Sequence, residues 1–235
     1  MGHPLDGAFL RIDRAYAHLS EASRVIHEFG KACINHIVAN EDINGKLRIG
    51  FRTAVPDVPN ILPVIVSDAV HNMRAALDYL VYELARHDSG KIQNGTQFLI
   101  EDFKVVAARP NLGFDGKKGH CLKKLSDPHI AMIEGFQPYN GVDWTKTLRD
   151  ISNPDKHRQL TAISDEGYST ISYHGSGSLR DKLPVTVPDP DEWNVDFSHA
   201  IYIAPVDLKK PALIPTLLTL HSKVNGVLIL FKPEF

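Results

Sequence analysis

Two clusters of polar side chains hold the chemistry open to this chain. The first is His71, Asn72, Arg74, Asp78 and Tyr79; the second is Asn153, Asp155, Lys156, His157 and Arg158. His71, Arg74 and Asp78 are spaced so that they stack along one stripe of a helix, beside its apolar face. If the two clusters face each other, two imidazoles, two carboxylates and two guanidiniums converge. A histidine titrating near neutrality can then move a proton while an arginine stabilises a developing anion. His71, Arg74, Asp78, Asp155, His157 and Arg158 are the candidate catalytic residues. The same set offers nitrogen and oxygen ligands to a metal through His71, His157, Asp78 and Asp155. Arg74, Lys156 and Arg158 beside them favour an anion over a cation, so no metal and no cofactor is assigned. A third reading is structural: Asn153 and Asp155 suit a helix start, Arg74 and Asp78 can pair within one helix, and Asp78 with Arg158 would clasp two helices.

Other chemistries lack their signatures. The sequence has no Walker A loop, G-x-G-x-x-G, H-E-x-x-H, C-x-x-C or G-x-S-x-G. His174-Gly175-Ser176-Gly177-Ser178 lies between strand-like runs and reads as a hairpin loop. His120, His129, His174 and His199 are isolated histidines: the first two have no regular ligand spacing, and the other two, on strand-like segments, read as surface or hydrogen-bonded residues, with Trp144 and Trp193 as packing residues.

The elements that must position the clusters follow from apolar periodicity. Val66, Val70, Met73, Leu77, Leu80, Val81 and Leu84 recur at three- and four-residue steps and predict a central helix over 67–86, with Asn60 as a cap. Leu5 to about Ala39 predicts one long N-terminal helix. Asn44-Gly45 is a turn, and 46–54 alternates as a strand. A helix is expected over 101–108, and 111–119, with three glycines, reads as a mobile loop. Ser126-Asp127-Pro128 starts a short helix, Asp143 caps 144–151, and Asn153-Pro154 opens another helix. Short β-branched runs at Ile163, 168–173, 183–187 and 200–206 predict three or four antiparallel strands, and 215–231 a last helix whose 227–231 end could equally be a strand. The expected fold is therefore one α+β domain over 1–235. It is helical to 160 apart from the strand near 46–54, β-rich over 160–207, and helical again over 212–232, so that a small antiparallel sheet covers a helical bundle.

Composition excludes more than it selects. With 235 residues, 43% hydrophobic and 23% charged, the chain can bury a sizeable core. A formal charge of −2 gives no basic footprint for non-specific nucleic-acid binding. Cys33 and Cys121 suit reduced thiols. No signal peptide and no transmembrane run is read, so the expected location is the cytoplasm, with no membrane partner.

The stretches His71 to Leu80, of the form HNxRxxLDxL, and Ser152 to Arg158, of the form SNxDKHR, resemble a recurrent bacterial family of uncharacterised proteins. The resemblance runs from about Pro63 to Arg158 and brings no activity with it. More loosely, a helical bundle with arginine and histidine on an inward helix is similar to HEPN-type domains, many of them metal-independent RNA endonucleases of toxin and phage-defence systems. Their motif is an arginine, four to six residues, then a histidine. Tyr79 stands where that histidine would follow Arg74, whereas Arg11 and His18 match the spacing. The expectation is a cytoplasmic bacterial hydrolase acting without a metal on a phosphate-bearing substrate such as RNA. His157 or His71 would be acid and base, Arg74 and Arg158 would stabilise the anion, and Asp78 would orient a histidine. The alternative is a non-enzymatic interaction or ligand-binding module, homodimeric through its exposed helix faces, whose clusters form a clasp. The partner is an anionic small molecule or RNA in the first reading, and a second copy of the chain in the other.

Overall fold

A computed structural model describes residues 2–41, 47–54, 56–157, 162–173, 193–204 and 212–235, with side chains for 2–33, 56–153 and 212–235. Among the residues with described side chains, 71% are helical, in six helices with no strand. The expected α+β fold with a covering sheet is thereby corrected to a helical bundle. Six helices make it: α1 (Asp6–Ala32), α2 (Ile61–Ser89), α3 (Gly113–Cys121), α4 (Asp127–Glu134), α5 (Asp143–His157) and α6 (Leu213–Phe231). Among the described residues, strands β1 (Ile34–Glu41) and β2 (Leu47–Ala54) pair only with each other, as do β3 (Ala162–Tyr173) and β4 (Trp193–Ala204). Two separate two-stranded ladders therefore replace the single sheet.

The bundle is centred on α1 and α2. Ala8, Ile12, Ala15, Leu19 and Ala22 are all buried, and the alanines repeat every seven residues, which lets a second helix approach closely. Arg11 reaches Asn72 while Gly7 lies against the Tyr79 ring, so α1 and α2 run antiparallel. The buried face of α2 includes the expected Val66, Val70, Met73, Leu77, Leu80, Val81 and Leu84. It ends at Gly90, whose φ of 66° is the left-handed cap glycine adopts freely. Asn60 precedes α2 but makes no side-chain cap bond. The third wall is α6, with Leu217, Leu220, Val224, Val227, Leu228 and Phe231 buried, so its end is helix rather than strand. Leu213–Glu234, with a mean hydropathy of 1.4, is by length and composition the one described helical stretch able to cross a membrane. The sequence reading had found none; here the stretch forms a wall of the bundle.

Three boundaries differ for identifiable reasons. The N-terminal helix stops at Ala32 because Cys33 turns extended, with φ −71° and ψ 123°, and the β-branched Ile34, Ile37 and Val38 enter a strand in which Ile37 opposes Phe51. Residues 101–108 are not helical: the Phe103 and Lys104 carbonyls accept the Phe114 and Asp115 amides at 2.9 and 3.0 Å, and so serve the first turn of α3. That helix occupies the stretch read as a mobile loop. Gly113 and Gly116 serve close approach, since a Cβ on Gly113, where φ is 77°, would lie 2.9 Å from the Phe103 carbonyl. Finally, α5 runs unbroken through Pro154 to His157, so Asn153 does not open a new helix. The predicted strand over 183–187 lies outside the described residues.

A buried histidine links three parts of the bundle. His129, read from sequence as isolated, holds Asp88 through Nδ1 at 2.7 Å and meets Glu234 through Nε2 at 3.4 Å. The Ser126 amide donates to the same Asp88 carboxylate at 2.6 Å. Burial works against the charge of Asp88, but the Ser126 amide and the His129 ring more than offset it and hold its pKa below the usual 3.8. A depressed carboxylate pKa contributes stability that is present above the ordinary value and lost as pH falls through the lowered one. Thermal unfolding followed into the acid range is expected to show that loss, and Asp88→Asn should flatten it; an unchanged acid profile would refute the assignment.

Candidate anion pocket

The chemistry of the site begins with an extended strap, residues 97–101, laid across α2. Phe98, Leu99 and Ile100 are all buried, so their backbone polar groups need partners, and among the described residues no strand pairs with them. Side chains do so instead. Asp78 Oδ1 accepts the Phe98 amide at 2.8 Å, and Arg74 Nη2 donates to the Phe98 carbonyl. Gln137, fully buried after α4, accepts the Glu101 amide at 2.9 Å and donates to the Leu99 carbonyl at 2.8 Å.

The strap forms one wall of a pocket of about 570 Å³ that is also bounded by Arg74, residues 102–113, Lys117 of α3, and Arg149 and Asn153 of α5. Four basic side chains, Arg74, Arg109, Lys117 and Arg149, line it against two acidic ones, Glu101 and Asp102, so the lining carries net positive charge. Lys117 pairs with Glu101 at 2.6 Å and Arg149 with Asp102 at 3.1 Å. Arg149 also grips Asp150 at 2.8 Å.

Arg74 is the unusual group. Its side chain is 13% exposed, Asp78 Oδ1 lies 4.0 Å from its Nη2, and its Nη1 is buried with no hydrogen-bond partner among the described residues. Burial lowers its pKa, Asp78 opposes that, and the charge of Arg149 adds to the depression. Two guanidiniums thus line one pocket, Arg149 paired with Asp102 and Asp150 and Arg74 with a donor unused. Arg149 has the opposite balance: burial disfavours its charge, but hydrogen bonds to Asp102 and Asp150 raise its pKa overall.

The predicted site residues separate in this frame. Arg74 of the first cluster and Asn153 of the second line the same pocket, so α2 and α5 do converge there. His71 is exposed and does not line it. Asp78 faces the strap and lines a separate depression with Tyr79 and Tyr82. Asn72 is buried, donating to the Asp68 carbonyl at 2.8 Å and accepting from Arg11 at 3.4 Å. Arg11, the arginine of the spacing matched by His18, lies over the Tyr79 ring at 5.5 Å. Asp155 and His157 are placed on α5 by their backbone alone, and Arg158 lies outside the described residues. Among the described residues, no group of three or more histidine, cysteine, aspartate or glutamate side chains is arranged to hold a metal.

Sequence reasoning missed Arg109, Lys117, Arg149 and Gln137. Arg149 precedes Asn153 by one helical turn, and that spacing was the available signal. Arg109 and Lys117 fell in stretches read as helix end and loop. Compared with protein-family models, curated proteins and solved structures, the chain matches none.

Proposed function

We propose that this pocket binds the phosphate group of a substrate and that the protein is a cytoplasmic, metal-independent hydrolase of such substrates, an RNA phosphodiester being the one to assay. The observation that carries the reading is the Arg74–Arg149 pair: two like charges beside a cavity, one guanidinium buried with an unused donor. An anion held in the pocket would offset the like charge that Arg74 and Arg149 bring to its lining. His157 stands one helical turn beyond Asn153, as Arg149 stands one turn before it, so the three positions share a stripe of α5. In this reading Arg74 and Arg149 hold the phosphoryl oxygens. His157 accepts the proton of the attacking oxygen and returns one to the leaving oxygen.

A second reading has its own observation. Arg74 and Asp78 hold the two polar groups of one residue, Phe98, which is what a structural clasp does. Titration with inorganic phosphate decides between them. Binding should be saturable, and Arg149→Ala should weaken it about ten- to a hundredfold, the worth of a charge-assisted hydrogen bond. Cleavage of a single-stranded RNA should vanish in His157→Ala while phosphate binding persists. Absence of saturable phosphate binding in a folded protein would leave only the clasp.

A further inference from the structure

The pocket lining divides into two chemistries, and the anion reading uses only one of them. Beside the basic groups lies an apolar run from a single segment: Phe103, Val106, Ala108 and Leu112. Phe103 is 64% exposed, and Leu112 is 38% exposed. The ring does not stand alone: with Val106, Ala108 and Leu112 it makes a contiguous apolar face on the pocket wall, the kind of surface that marks a ligand-binding groove.

The segment beneath the ring is fixed. The Phe103 and Lys104 carbonyls are bonded to the first turn of α3, and Gly113 allows that approach. The ring is thus presented at the pocket by an anchored backbone, a platform with little ordering left to lose on binding. Inorganic phosphate would occupy only the basic part of a cavity whose volume of about 570 Å³ suits a small organic ligand.

We infer that Phe103 forms a base-stacking subsite, and that the ligand is a nucleoside phosphate whose phosphate lies at Arg74 and Arg149 while its base covers the Phe103 ring. The inference rests on the anion reading for the phosphate and on Phe103 for the base. A stacked base is worth roughly 1–3 kcal/mol, or about five- to a hundredfold in affinity. The lining offers the base a π-face and apolar side chains, so discrimination among bases is expected to be weak.

The test compares inorganic phosphate, ribose 5-phosphate, AMP and a short single-stranded RNA by calorimetry on the full chain. AMP should bind about five- to a hundredfold more tightly than ribose 5-phosphate. Phe103→Ala should remove that surplus and leave ribose 5-phosphate affinity intact, and Phe103→Tyr should retain it. The ring is exposed, so both variants are expected to fold, and thermal unfolding checks that they do. An oligonucleotide binding more tightly than AMP identifies a residue of RNA as the source, and equal affinity identifies the free nucleotide. If phosphate binds but AMP gains nothing over ribose 5-phosphate, the stacking subsite is wrong and the anion pocket stands. If neither phosphate nor AMP binds, both fall.

Discussion

Gln137→Leu is expected to lower the unfolding free energy by about 3–5 kcal/mol, a large effect for a side chain that carries no charge. The reason is positional. Gln137 is fully buried and its amide satisfies the Leu99 carbonyl, the Glu101 amide and, at 3.1 Å, the Ile133 carbonyl. Leucine keeps the volume and removes every one of these bonds, leaving strap groups that water reaches only if the strap lifts. Because the strap is a pocket wall, phosphate affinity should fall together with stability. Gln137→Glu supplies a control: at acid pH its neutral carboxyl can both donate and accept, so its deficit should shrink as pH falls. Urea unfolding of the three proteins measures this. A leucine variant within about 1 kcal/mol of the parent would show that the strap is not held from this side.

The second large effect is an asymmetry between Asp78 and Arg74. Asp78→Ala strips the Phe98 amide of its acceptor and removes a neighbouring carboxylate from a guanidinium that is already short of partners. Breaking a buried pair from one side costs about 3–5 kcal/mol, and the partial exposure of Asp78 reduces that to about 2–4 kcal/mol. Arg74→Ala leaves the Phe98 carbonyl unpaired but also removes a desolvated charge, so its cost should be smaller. The double variant should be less damaged than the sum of the two, since each single change leaves the other group stranded. Binding separates the same pair in the opposite order: Arg74→Ala should abolish phosphate binding, whereas Asp78→Asn, which keeps an acceptor for Phe98, should preserve it. Equal stability losses with a strictly additive double variant would remove the coupling on which the account of Arg74 rests.

These contrasts explain what the chain discloses when read as a string. Helix α2 was legible because its apolar residues fall on one face and nothing competes with that pattern. The inward position of Arg74 was legible for the same reason, since it borders that face. The strap was not, because Phe98-Leu99-Ile100 is three consecutive apolar residues with no period, and its hydrogen bonds go to side chains up to 38 residues away. Gly113 and Gly116 were misread because their role is contact with backbone at 103–111, which no local pattern records. The partners of His129 were hidden likewise: Asp88 and Glu234 come from two distant helical ends. The pocket's cations were passed over singly, as each is ordinary until the fold gathers them.

The side-chain attachment of the strap has a consequence for how this region tolerates change in length. Two strands in a ladder can slide by two residues and recover their backbone bonds, because every position offers the same groups. The strap has no such freedom, since Asp78, Arg74 and Gln137 each occur once and the anchored groups lie at Phe98, Leu99 and Glu101. One residue inserted between Phe98 and Glu101 would release one anchor or the other, whereas the polar turn at 91–95 can lengthen without touching either. Homologous chains that keep this pocket should therefore vary in length before residue 97 and hold the interval from 98 to 101 constant.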